Sequence, residues 1–319
     1  MRGLGLASVT INAVNEAKKT PTRPARVSDN AVHQRRRRLA GAGLLAFAAI
    51  VVWAIASVGG GGDSGPQNGG FAARLASVGG TGPGSLFATQ AKLDRTAVST
   101  TYKQTPYIVK AGGQRRAVAL TFDDGPSEYT PQYLKILNQM GAAATFFTVG
   151  GQYSTFGPNA KRAHSDGYVV ADHTWTHPQM PSLGSAEQSS EIDRTASAIT
   201  GLGLPSPQLY RPPYGAYDQT TLDALKKRKM LLVLWDVDTE DWRKPGVDAI
   251  KQAVFTQVQP GSIILMHDGG GDRTQTLAAL PDIIRGLRER GYQLVTVPRL
   301  LAEDPPRGGD LPPAPNGGA

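Results

Sequence analysis

Between Arg116 and Leu301, short apolar runs of strand length alternate with segments of helical periodicity. This alternation limits the chain to α/β architectures with a largely parallel sheet. Strands are expected at Ala117–Phe122, Ala144–Val149, Leu231–Trp235, Ser262–Met266 and Gln293–Val297, with a further short one at Tyr107-Ile108-Val109. Helices are expected at Thr130–Met140, Thr220–Arg228 and Thr274–Arg290. The run Ala117–Phe122 is stopped by Asp123-Asp124-Gly125-Pro126, so two carboxylates stand where a buried strand meets a loop.

Adjacent strand residues point to opposite faces, so Asp123 and Asp124 can share one pocket only at a distorted strand end. They are therefore expected to do different work, one holding a metal and the other taking a proton. About fifty residues on, His173-Thr174-Trp175-Thr176-His177 supplies two imidazoles, which either share a helical face at i, i+4 or lie on a loop that curls around an ion. One carboxylate and two imidazoles make a three-ligand set with positions left open, which is the pattern of a catalytic rather than a structural zinc site. The glutamate of the His-Glu-x-x-His protease signature is absent, because Thr174 stands in its place. The chain has five histidines; His33 and His164 lie outside any such context and are read as structural.

Five ordered segments between Arg116 and Leu301 resemble the polysaccharide deacetylases that share the chitooligosaccharide deacetylase (NodB) homology domain, carbohydrate esterase family 4. They are Thr121–Pro126; His173–His177 followed by Pro178; Arg211-Pro212-Pro213-Tyr214-Gly215; Asp238-Thr239-Glu240-Asp241-Trp242; and Leu265-Met266-His267-Asp268. The resemblance implies a distorted (β/α) barrel and hydrolytic removal of acetyl groups from a polysaccharide. It implies that Asp123 is the general base, oriented by Arg211, and that Asp124, His173 and His177 hold a divalent metal, Zn²⁺ first and Co²⁺ as an alternative. It further implies that the Tyr214 N–H helps bind the oxyanion, that Trp242 and Leu265 line the acetyl pocket, and that His267 is the general acid, supported by Asp241. One departure is Asp172, which stands before His173 where many relatives carry a neutral Asn and which is expected to disturb a contact to His173. The implied reaction is N-deacetylation of an amino-sugar polymer, peptidoglycan or chitooligosaccharide. Acetylxylan O-deacetylation and a catalytically silent carbohydrate-binding protein are the alternatives.

Location is read from residues 39–58, Leu39 to Val58, an uncharged and mostly apolar run of bilayer-spanning length preceded by Arg35-Arg36-Arg37-Arg38. The expectation is a single-pass signal anchor, with residues 1–38 as a basic cytoplasmic tail and everything after Val58 outside the cell. A secreted form cut near Ala54-Ile55-Ala56 is the rival. The formal net charge of +8 is concentrated ahead of that run, and the remainder shows no basic stripe interleaved with aromatics, so nucleic acid is not an expected partner. The expected partners are the glycan and the membrane. Residues 59–115 are read as a Gly-rich linker and N-terminal extension, 116–301 as the catalytic domain, and 302–319 as a disordered Pro/Gly-rich tail. With no cysteine, the exported domain must hold together without disulfides, which about 185 residues suffice to do.

Overall fold

The computed structural model describes residues 83–307. The expected anchor at 39–58, the basic tail and the last twelve residues lie outside that range; among the described residues no helix is long and apolar enough to cross a membrane.

Nine strands form one sheet in the order β1-β6-β5-β4-β3-β2-β8-β7, with β9 pairing to β2 beside β8, and every pairing is parallel. The strands are β1 Tyr107–Ile108, β2 Ala117–Asp123, β3 Thr145–Thr148, β4 Val169–Asp172, β5 Leu209–Tyr210, β6 Leu231–Val233, β7 Val237–Asp238, β8 Ile263–His267 and β9 Gln293–Val295. Among the described residues no pairing joins β7 to β1, so the sheet is an open half-barrel rather than a closed ring. The helices are α1 Pro83–Gln104, α2 Thr130–Met140, α3 Tyr153–Ser165, α4 Ser185–Gly201, α5 Gln219–Arg228, α6 Val247–Gln257, α7 Thr274–Glu289 and α8 Val297–Glu303.

Strand β2 explains the layering. All seven of its residues are buried, as expected of a parallel strand covered on both faces. Val118, Leu120 and Phe122 point outward into a core completed by Tyr133, Leu134 and Leu137 of α2 and by Leu280, Ile283, Ile284 and Leu287 of α7. Ala117 and Ala119 point inward with Phe147, Ala171, Leu231, Val233 and Ile263. The interior is closed at the amino ends of the strands by Val98 of α1 and by Val297, Leu300 and Leu301 of α8. Thr121 and Asp123 continue the inward series of β2 toward its carboxyl end, where a barrel of parallel strands places its chemistry.

Several expectations are corrected. Pro83–Gln104, read as part of a linker, is a 22-residue helix, and Val98, Ile108 and Ala111 belong to the inner core, so the packed unit begins before Arg116. It also ends after Leu301: α8 runs to Glu303, and buried Asp304 accepts hydrogen bonds from the Gln114 and Arg115 N–H groups at 2.9 and 3.0 Å. Strands β4, β5 and β7 and helices α3, α4 and α6 were not expected from periodicity. The strands are two to four residues long. Helix α3 carries Gly157 and Pro158 in its interior, which mask a helical pattern.

Candidate active site

The expected residues converge at the carboxyl ends of the strands: Asp123 ends β2, His173 follows β4, Arg211 follows β5, Asp241 follows β7 and His267 ends β8. Asp124 adopts φ 72°, in the left-handed region. That reversal defeats the up-down alternation of a strand and brings both carboxylates to one side. His173 Nε2 lies 3.7 Å from Asp123 Oδ2 and 3.5 Å from Asp124 Oδ1, and His177 Nε2 lies 3.1 Å from Asp124 Oδ1. Behind Asp124 runs the loop Gly269-Gly270-Gly271. A Cβ on Gly270, at φ +73°, would sit 2.3 Å from Asp124 Oδ2, so glycine is required for that approach.

The histidine pair is on a loop, not a helix. Thr174 and His177 have φ 69° and 61°, and the His177 N–H donates to Thr174 Oγ1 at 3.1 Å. His173 Nδ1 is 2.7 Å from the Arg211 carbonyl oxygen, which can only accept. This fixes the proton on Nδ1 and aims the Nε2 lone pair at the carboxylates. Asp124 Oδ1 is buried and, despite the nearby imidazoles, has no hydrogen-bond partner. Asp124, His173 and His177 each offer one ligand atom, all within 4.8 Å of one another. An orphaned carboxylate oxygen facing two imidazole nitrogens, one with its tautomer fixed, fits a divalent cation. Burial works against the charged form of Asp124, yet His173, His177 and the His267 charge more than reverse this and hold its carboxyl below the usual range.

Asp172 does not disturb His173, whose Nδ1 is satisfied by Arg211. Its Oδ1 accepts the Thr174 N–H at 2.9 Å, and complete burial, opposed by that bond, raises its carboxyl well above the ordinary range.

Arg211 is fully buried between Phe147, 4.1 Å from its guanidinium carbon, and Trp235 at 5.5 Å. It donates to the Val233 and Leu234 carbonyls, to Thr121 Oγ1 at 2.8 Å and to Asp123 Oδ1 at 2.7 Å. Burial pushes its pKa down and Asp123 opposes this. One oxygen of Asp123 is thus held by Arg211 while Oδ2 faces the site.

Asp123 and His267 are register partners on neighbouring strands. Buried Asp241 accepts from His267 Nδ1 at 2.6 Å, from the His267 N–H at 2.9 Å and from Thr276 Oγ1 at 2.8 Å. Burial would lower the His267 pKa; the Asp241 hydrogen bond and charge, with Asp123 and Asp124, push it up to about 9. Asp268, wholly buried beneath the site, is pushed up to about 7 by burial and by the Asp124 and Asp123 charges, against its hydrogen bond from Thr130. At the rim, Tyr214 and Trp242 are 64% and 50% exposed, which sets them apart from the apolar side chains of the core. Tyr214 has φ 60°, and its ring lies 4.8 Å from that of His177. Leu265 is buried on the inward face of β8, in register with Thr121.

The His267–Asp241 pair gives a first expected result. In metal-free protein, an NMR titration should place the His267 midpoint near 9, and Asp241→Asn should lower it clearly, because burial is then opposed only by the Asp123 and Asp124 charges. A folded value above the unfolded one stabilises the protein at low pH. The contribution, about 3 kcal/mol, should be complete below about pH 6.5 and lost as pH rises through about 9. An unshifted midpoint in the variant would remove Asp241 as the cause.

Sequence reasoning missed Thr121, which bridges Arg211 and β8 through its hydroxyl donated to the Ile264 carbonyl, and Glu191 of α4, whose carboxylate meets the histidine loop. It also missed the triple-glycine loop behind Asp124, although three consecutive glycines after His267-Asp268 were a visible signal.

The sequence profile of the polysaccharide deacetylase family matches residues 110–233, which carry the first three of the five segments. A chitooligosaccharide deacetylase of Bradyrhizobium sp. is 37% identical over 199 residues, covering 58% of this chain and 90% of the relative. A peptidoglycan-N-acetylglucosamine deacetylase of Bacillus cereus is 35% identical over 197 residues, covering 61% of this chain and 72% of the relative. Among solved structures, the Bc1960 peptidoglycan N-acetylglucosamine deacetylase, in complex with a naphthalenyl N-oxidanyl-benzamide, superposes with a TM-score of 0.61 at 33% identity, over 64% of this chain and 97% of that one.

Proposed function

This chain belongs to the polysaccharide deacetylase family and is a hydrolase, and on that premise we propose that it removes N-acetyl groups from amino-sugar residues of a cell-envelope polysaccharide, peptidoglycan first. The observation that carries the reading is the convergence of Asp124, His173 and His177 beside the register-paired Asp123 and His267. Asp124, His173 and His177 would hold the metal, for which Zn²⁺ suits the donor set. When bound, it supplies Lewis-acid charge that acidifies a water molecule and polarises the acetamide carbonyl.

The chain's own residues do the rest. Asp123 Oδ2, with its partner oxygen fixed by Arg211, takes the proton of the attacking water. The Tyr214 N–H stabilises the oxyanion; the N–H groups of Gly215 and Ala216 close that turn onto the Pro212 and Pro213 carbonyls and leave the Tyr214 N–H outside those bonds. His267, held as the imidazolium by Asp241, donates its Nε2 proton to the departing nitrogen. An amine leaves far more readily protonated, so an acid pushed up to about 9 supports amide over ester cleavage. Asp123 and His267 stand opposite each other on neighbouring strands, whose backbones run about 4.8 Å apart in any sheet, near enough to serve one bond. Leu265 and Trp242 would flank the acetyl methyl group.

The arginines ahead of Leu39–Val58 support anchorage in the cell membrane with the catalytic domain outside, which places the enzyme near the wall glycan. The test is acetate release from peptidoglycan, chitooligosaccharide and acetylxylan, assayed on membrane and culture-medium fractions. Release from the first two, recovered with the membranes, is expected. Release from acetylxylan alone would overturn the N-acetyl assignment, and activity confined to the medium would overturn the anchor.

A further inference from the structure

We propose that Glu191 is a positioning residue for the metal site, acting through the loop that carries His177; the inference rests on the metal triad proposed above. Glu191 lies on α4 at 9% exposure, a nearly buried carboxylate that no charged side chain neutralises among the hydrogen bonds and ion pairs found at it. Its partners are the donors of the histidine loop. Oε2 accepts the Trp175 N–H at 2.9 Å and the Thr176 N–H at 2.7 Å, and Oε1 accepts the Thr176 hydroxyl at 2.9 Å. Bonds to an ionised acceptor are about twice as strong as neutral ones, and here one carboxylate gathers three.

The loop's carbonyls are engaged from the other side. The Gly150 N–H donates to the Thr174 carbonyl and the Gly151 N–H to the Trp175 carbonyl, both at 2.9 Å. Arg194, one turn beyond Glu191 on α4, stacks its guanidinium carbon 4.3 Å from the Trp175 ring. The segment between the two histidines is thus gripped along both edges and by its one large side chain.

Such a grip is needed because Thr174 and His177 both sit at positive φ. Non-glycine residues in that region are strained and persist only where the surroundings over-determine them. Released from Glu191, the loop can relax toward ordinary backbone angles, and the His177 imidazole would leave Asp124. His173 would stay, because it follows directly on β4 and is fixed by the Arg211 carbonyl.

Co²⁺ binding to the metal-free, full-length protein is the test, followed by its visible spectrum together with amide exchange at Trp175 and Thr176 before metal is added. Glu191→Ala should bind Co²⁺ about 10- to 100-fold more weakly, with an altered spectrum and faster exchange at both amides. Glu191→Gln should recover affinity to within about threefold, because its carbonyl oxygen can accept both N–H groups and its amide can donate to the Thr176 hydroxyl. A merely structural role would lower thermal stability without moving the affinity or spectrum of folded protein. Should Glu191→Ala fail to fold, Glu191→Asp, which withdraws the carboxylate by one methylene, is expected to lose about tenfold in affinity. Unchanged affinity and spectrum in the folded Ala or Asp variant would overturn this inference alone. Wild-type protein that binds no Co²⁺ would overturn the metal triad and this inference together.

Discussion

Asp123→Asn is expected to keep its metal and lose about 10²- to 10⁴-fold in turnover. The amide cannot take a proton from water, whereas Asp124, His173 and His177 are untouched. The Arg211 contact survives in part, since the Asn carbonyl oxygen can still accept from Nη1. The fully buried guanidinium nevertheless loses its acidic partner, and a stability loss of up to about 3 kcal/mol should accompany the variant. Metal content by elemental analysis, acetate release and urea unfolding separate these effects. An Asn variant that turns over like wild type would remove Asp123 as the base.

His177→Ala should fail in the opposite manner, losing metal and activity together while the fold stays intact. The His177 side chain is about a quarter exposed and stands on a loop, so its removal leaves no core cavity, and stability should change by about 1 kcal/mol or less. Two ligands remain, too few to retain Zn²⁺ through dialysis against chelator-free buffer. The two variants check each other. If Asp123→Asn came out metal-free while His177→Ala stayed loaded, the roles of ligand and base would be exchanged.

The sequence made the chemistry more legible than the scaffold. Asp123 and Asp124 stop an apolar run and His173 and His177 form a spaced pair, while Arg211, Asp241 and His267 stood out through the five ordered segments; the structure gathers all seven at the carboxyl ends of strands or in the loops that follow them. Helix α4 was illegible because its buried stripe is mostly polar: Gln188, Glu191, Ile192, Thr195 and Ile199 face inward at helical spacing. Hydrophobic periodicity cannot register such a stripe. It is polar because part of it serves the histidine loop, so the feature that hid the helix is the one that ties it to the site. The positive φ angles of Asp124, Thr174 and His177 were equally invisible, since none of these residues announces a left-handed backbone as glycine does.

The three-way pairing of β2 gives the two sides of the site different clocks. Asp123 ends a strand bonded to β3, β8 and β9, so moving its backbone means breaking the middle of the sheet, an opening whose free energy approaches that of global unfolding. Tyr214 and Trp242 stand on exposed short turns, where side chains reorient in picoseconds to nanoseconds. The bond-breaking geometry is effectively frozen while a glycan is bound, and accommodation of differently substituted sugars falls to the aromatic rim. Native-state hydrogen exchange would register this division as protection along β2 far above that of the two turns.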